Sequence, residues 1–209
     1  MRLRGDVCQA GSRCQHKRRD GSFCNELLDT KGWHARKCGV GSSRDARHNG
    51  LRDWHAPHHT KHTGFTATIE QRVPAWDRVD HRTWELEEAR LDVATRDAAT
   101  GQPIYVDWSV ACEHSTYEPR RRARSNKDGL TAAQRVTEKR DRYPPQHGQL
   151  APLVFESGGR PADEAISFIH SYAHGLTAED RTEVLSQTWR QISRFLQAGN
   201  AEMVLSAIG

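Results

Sequence analysis

The sequence predicts an α/β domain built on a mixed sheet, preceded by a small module rich in Cys and His. Three observations lead there. Four of the five cysteines fall within the first 38 residues, where almost no periodic apolar pattern exists. After residue 42, segments of helical and strand periodicity follow in the order helix, three strands, helix, strand, helices. In one of those strands an aspartate interrupts an apolar alternation.

A chain of 209 residues with 35% apolar content holds one ordinary domain and a small appendage. The stretch Gly39-Val-Gly-Ser-Ser is the expected boundary. It separates residues 1–42, a Cys-Cys-His-Cys module with a basic N-terminal arm, from residues 43–209, the α/β domain with its C-terminal helices. The first part cannot bury enough apolar surface to fold on its own core, so it needs a staple. Clustered Cys and His in a chain expected inside the cell read as a metal site before they read as disulfides.

Cys14, Cys24, His34 and Cys38 supply the pattern C-x9-C-x9-H-x3-C. Zinc favours four tetrahedral nitrogen and sulfur ligands. His34 and Cys38, four residues apart, point to one side of a helical turn. Gly21 in Arg19-Asp-Gly-Ser permits a hairpin that brings Cys14 and Cys24 together. Cys8 and His16 are competing ligands.

The first helix of the main domain is expected from Ala46 to His55, with Leu51 and Trp54 on one face. Pro57 and the polar run around His58, His59 and His62 then read as a solvated loop. Strands are expected over Phe65 to Val73, Ala89 to Thr95 and Pro103 to Cys112. In the third, Ile104, Val106, Trp108 and Val110 alternate with Tyr105, Asp107 and Ser109. Asp97 to Gly101 is a hairpin turn. Cys112 reads as a small buried hydrophobe.

Thr131 opens a helix that Pro144-Pro145 closes after Tyr143. Leu150 to Glu156 is a fourth strand. Pro161 starts a helix with Ile166, Ile169 and Tyr172 along one face. Thr177 with Asp180 resembles a capping box for a long helix striped by Leu185, Trp189, Ile192 and Leu196, which Gly199 is expected to end.

Composition bounds the function. No run approaches the ~20 apolar residues a membrane span needs, so no membrane partner is expected. The N-terminus has no apolar segment behind its charges, so no secretory signal is read there and an intracellular location is expected. The net charge is +4, and only six of the 31 basic residues are lysine. Guanidinium forks suit phosphates and base edges, so a nucleic-acid partner is expected. Arg120, Arg121, Arg122 and Arg124 crowd one loop.

Asp92 and Asp107 form the expected chemical centre. A lone carboxylate among apolar strand residues costs several kcal/mol unless it is paired or binds a cation. Two on adjacent antiparallel strands can share a magnesium or manganese ion, the arrangement that phosphodiester hydrolysis uses. Lys139 can reach the same centre from the next helix, and Tyr143 follows one turn later. Glu70 is a third acid, placed mid-strand.

Taken together, Cys14, Cys24, Gly32-Trp-His34-Ala-Arg-Lys-Cys38, Arg47-His-Asn49-Gly-Leu-Arg, Arg90-Leu-Asp92, Val106-Asp107 and Glu138-Lys139 with Tyr143 carry a resemblance. The chain resembles the C-terminal region of site-specific non-LTR retrotransposon proteins. There a zinc knuckle precedes a restriction-endonuclease-like domain of the PD-(D/E)xK superfamily. The resemblance implies a nuclear protein that nicks DNA, or contacts RNA, through structural zinc and catalytic magnesium or manganese.

On the same resemblance Asp92 and Asp107 match the two metal-binding acids, and Arg47 with His48 match a basic nucleic-acid motif. Leu91 stands where proline is usual. Ser109 stands where a lysine is usual, and Lys139 matches the lysine that this family carries on the next helix. A chain of 209 residues holds no reverse transcriptase, so the resemblance implies a detached piece. Three readings follow: a metal-dependent endonuclease, a catalytically inactive nucleic-acid-binding remnant, or a zinc protein that binds no nucleic acid.

Overall fold

A computed structural model describes residues 6–114 and 127–209. Its element order is α1 (Trp33–Lys37), α2 (Ser43–Thr63), β1 (Thr68–Arg72), β2 (Arg78–Val79), β3 (Leu86–Glu87), β4 (Arg90–Arg96), β5 (Pro103–Ala111), α3 (Leu130–Arg142), β6 (Gln149–Glu156), α4 (Asp163–Ser171) and α5 (Ala178–Ile208). The protein is mixed α/β, with a mixed sheet flanked by helices. The sheet runs β1-β4-β5-β6, antiparallel except for the parallel pair β5-β6.

The two buried strands β5 and β6 follow from their patterns. The alternation in β5 sends Ile104, Val106 and Trp108 into the main core, where they meet Leu51 of α2, Phe168 and Ile169 of α4, and Ile192 and Leu196 of α5. The other face of β5 carries Tyr105 and Asp107. β6 is buried along nearly its whole length, as a strand covered on both faces must be. Within the sheet its one neighbouring strand is β5, and the Phe155↔Pro161 bridge covers only its C-terminal end, so Pro152 sits in an edge strand, where the missing N–H can face away from the ladder. Asp97 to Gly101 makes the β4-β5 turn, with Gly101 at φ 69° donating to the Asp97 carbonyl.

Two helices run further than the sequence indicated. α2 continues through Pro57 and the histidine run to Gly64, which caps it at φ 73°. The backbone bond lost at Pro57 is offset because His55 and His59 are buried and hydrogen-bonded in the core, so packing overrides the proline.

α5 starts on Thr177, whose hydroxyl accepts from the Asp180 N–H and donates to its carboxylate. It passes straight through Gly199 to Ile208. A Cβ at Gly199 would lie 2.7 Å from the Cβ of Arg47 and closer still to its Cγ. Gly199 is therefore a close approach of α5 to α2, and not a terminator. Between β1 and β4 the chain adds a 3-10 turn (Pro74–Trp76) and the β2-β3 ribbon, neither of which periodicity indicated.

The N-terminal module is a loose hairpin, with bridges Arg13↔Leu27 and Lys17↔Phe23 on either side of Gly21 at φ 87°. Its core of Cys8, Cys14, Leu28, Ala35 and Cys38 is completed by Val204 and Ala207 of α5. Gln15 N–H also donates to the Ala207 carbonyl. The module and the C-terminal helix thus share one apolar cluster.

Candidate metal centre and acidic centre

The hairpin and α1 bring the side chains of Cys14, Cys24, His34 and Cys38 together, with their ligand atoms all within 4.8 Å of one another. Cys14 Sγ lies 3.9 Å from Cys38 Sγ, Cys38 Sγ lies 3.6 Å from Cys24 Sγ, and His34 Nε2 lies 3.4 Å from Cys24 Sγ. A tetrahedral zinc site needs S···S edges of about 3.8 Å and N···S edges of about 3.6 Å from its bond lengths. The donor set therefore fits zinc in both chemistry and size.

Burial, with the neighbouring thiols adding to it, pushes Cys14 up to about 12 and Cys38 in the same direction. A divalent cation is what makes such thiols ionise. Burial also lowers His34, which keeps its imidazole neutral, the form that binds metal. The Asp29 carboxylate accepts from the Trp33 and His34 N–H groups at 3.0 and 2.9 Å. It thereby holds the start of α1, the helix that carries His34. Burial opposes ionisation of Asp29, but those backbone donors outweigh it and hold its carboxyl low.

The competing residues have other roles. His16 Nε2 lies 2.9 Å from the Met203 carbonyl of α5. Cys8 is buried beside Gly32, outside the four-ligand set.

Asp92, Asp107 and Lys139 meet on the face of the sheet covered by α3, and each is at least nine-tenths buried. The β4-β5 ladder runs from Arg96↔Pro103 to Val93↔Val106 and there gives way. One residue further, Asp92 Oδ2 accepts the Trp108 backbone N–H at 2.6 Å, so a side chain replaces the ladder bond. Asp92 Oδ1 is 2.8 Å from His48 Nε2, which α2 delivers. Lys139 Nζ donates to Asp107 Oδ2.

Burial raises Asp107 above the ordinary carboxylate range; Lys139 opposes this, and Asp92 adds to it. The Asp92 hydrogen bond raises His48 against its own desolvation. The centre therefore holds two buried carboxylates within each other's reach, one fixed cation and one imidazole.

The remaining expected residues distribute differently. Glu70 is exposed on β1 and pairs with Arg52 rather than entering the centre. Its φ of 53° marks a kink opposite Asp92, between the pairs Ile69↔Val93 and Gln71↔Leu91. Tyr143 ends α3 and packs its ring 5.4 Å from Trp76. It feels both aspartates electrostatically, more weakly than its own burial, and no hydrogen bond joins it to either.

Arg47 is no surface contact. Its stem fills the space over Gly199, its guanidinium donates to Asn200 Oδ1, and burial pulls it down to about 10. His48, expected with it as a nucleic-acid contact, is spent on Asp92. Arg120, Arg121, Arg122 and Arg124 lie outside the described residues. Cys112 is half-buried at the end of β5.

The histidines of α2 form an ordered network where a solvated loop was expected. The Trp108 indole N–H can only donate, so His55 Nδ1 accepts it at 3.2 Å. Burial holds His55 neutral, so its Nε2–H donates to the Tyr172 hydroxyl at 2.7 Å. From the other end, His59 Nε2–H donates to the Arg96 carbonyl at 2.9 Å, which leaves His59 Nδ1 to accept from Tyr172 at 3.2 Å. Every proton in this chain is assigned by its two ends. Helical spacing at i and i+4 was the signal that could have found it, and Pro57 concealed it.

No known protein family matches this sequence, and no curated protein matches it. Among the described residues no helix is long and apolar enough to cross a membrane.

Proposed function

We propose that this protein is a divalent-metal-dependent DNA endonuclease of the restriction-endonuclease-like type, a nicking domain derived from a non-LTR retrotransposon protein and acting in the nucleus. The observation that carries the reading is the convergence of Asp92, Asp107 and Lys139, from β4, β5 and α3, in one buried centre. The mixed sheet flanked by helices supports it, since that is the fold class that the resemblance implies. Structural zinc would be held by Cys14, Cys24, His34 and Cys38.

Asp92 and Asp107 would hold the catalytic ion. Hard cations take carboxylate oxygens, and the Lys139 ammonium alone does not cancel two carboxylates, so the donor set fits magnesium or manganese. When bound, such an ion supplies Lewis-acid polarisation of the phosphate and an acidified water. The protein's own groups do the rest. Lys139 sits where its ammonium can stabilise charge building on a phosphate oxygen. His48 orients Asp92 from the open side, and the Trp108 N–H holds the second oxygen of that carboxylate.

Supercoiled plasmid with magnesium or manganese tests the reading. Wild type is expected to nick; Asp107→Asn is expected to abolish nicking while DNA affinity persists, and Lys139→Ala to slow it by ~100-fold or more. Wild type that never nicks, or Asp107→Asn that nicks equally well, overturns it.

One observation favours a second reading, a catalytically inactive nucleic-acid-binding remnant. Both oxygens of Asp92 and one of Asp107 already have protein partners. DNA or RNA binding with a steep salt dependence and no nicking is the signature of that reading.

A further inference from the structure

Away from both centres, α2 and α5 border a cleft of about 570 Å³. On the α2 side Trp54, His58 and His62 follow one another as tilted ring pairs, with centroids 4.6 Å apart for the first pair and 4.4 Å for the second, and Lys61 stands beside them. On the α5 side are Arg190, Gln187, Gln191 and Glu183. This is a size that takes small organic ligands.

Three features of the lining point to an anion. Neither Lys61 nor Arg190 has a carboxylate partner among the described residues, and Arg190 is anchored only by Nε to the Ser186 carbonyl. Glu183 is the one acid of the lining, and its carboxylate accepts from the Gln187 amide. The fixed charge of the cleft is therefore positive. His62 borders the cleft, and its Nε2 has no hydrogen-bond partner among the described residues.

His58 cannot serve in its place, because its Nε2 lies 2.9 Å from the Thr188 hydroxyl, which itself donates to the Val184 carbonyl. A cation is not the guest, since Glu183 is the one carboxylate of the lining and stands among Lys61 and Arg190.

We infer that this cleft is a nucleotide-phosphate site: Lys61, Arg190 and His62 take the phosphate, and the Trp54–His58–His62 wall takes the base. Stacking on such a wall tolerates any base. The phosphate comes from a free nucleotide or from a polynucleotide strand. In the second case α2 acts as a ruler, since His48 at the acidic centre and His62 are about 21 Å apart along the helix, or about six nucleotide steps. The inference does not rest on catalysis at Asp92 and Asp107.

The test uses zinc-loaded full-length protein. Inorganic phosphate is expected to shift the His62 imidazole resonances saturably, and thymidine monophosphate additionally to quench Trp54. Lys61→Ala and Arg190→Ala alter exposed side chains, so both variants fold, and each is expected to weaken phosphate binding ~10-fold. The inference falls if phosphate leaves His62 unmoved, or if the double variant binds as wild type does. With the site upheld, displacement of phosphate by a short oligothymidylate assigns it to a strand. Displacement by thymidine monophosphate alone assigns it to a free nucleotide.

Discussion

Replacing Asp92 by alanine and by asparagine separates its two roles. Its Oδ2 is the partner of the Trp108 backbone N–H at 2.6 Å, at a point where both residues are buried and the ladder has ended. Alanine leaves that N–H without a partner, at a cost of about 1–3 kcal/mol, and releases His48 for up to about 1 kcal/mol more. Against this, removing the charge relieves Asp107, whose ionisation Asp92 disfavours, and offsets part of the loss. The balance is a loss of about 1–3 kcal/mol for Asp92→Ala. Asparagine keeps an acceptor for Trp108 and the same relief, so its stability should stay within about 1 kcal/mol of wild type. Urea midpoints at unchanged slope, with zinc present and magnesium absent, measure the difference. Both variants should lack nicking. Alanine and asparagine variants of equal stability would refute the claim that this carboxylate closes the sheet.

Gly199→Ala should destabilise the protein by about 1–2 kcal/mol despite a helix-propensity gain of ~1 kcal/mol, because the new methyl meets the Arg47 stem; a stabilised variant in urea denaturation would show that α2 and α5 are further apart. Chelating zinc should speed amide exchange over Met203 to Ile208 as well as in the module, because His16, Gln15 and the shared apolar cluster tie that end of α5 down. Exchange in α5 that ignores metal would disconnect the two. His48, raised by Asp92, binds its proton more tightly folded than unfolded. Its contribution is therefore full below the unfolded value of about 6.5 and is lost as pH rises through the higher folded value. Urea midpoints in magnesium-free buffer should fall across that window for wild type and flatten for His48→Gln.

The strand order and the acidic pair were legible because each rests on a local pattern. β5 shows its alternation within nine residues, and Asp107 stands out against it. What was illegible depends on distant residues. Gly199 reads as a helix end until Arg47, 152 positions away in the chain, is seen to need the space. Pro57 reads as a helix break until Tyr172 and Trp108 are seen to hold the histidines on either side. The same holds for the arginines. The resemblance gave Arg47 one meaning, nucleic-acid contact, but the fold spends it on packing and on Asn200, while Arg52 nearby on α2 pairs with Asp53 and Glu70.

In the acidic centre the same side chains serve the fold and the chemistry. A carboxylate that replaces a ladder hydrogen bond has a structural reason to be there with or without a cation, so its burial alone does not argue for catalysis. Asp107 differs. Its side chain closes no backbone bond, and its one hydrogen-bonding cation is a lysine that must itself be buried to reach it. An ion pair of that kind is commonly no more stabilising than apolar residues of equal volume. Of the two aspartates, Asp107 with Lys139 is thus the pair whose presence asks for a reaction, and nicking by their variants is the measurement on which the enzymatic reading stands.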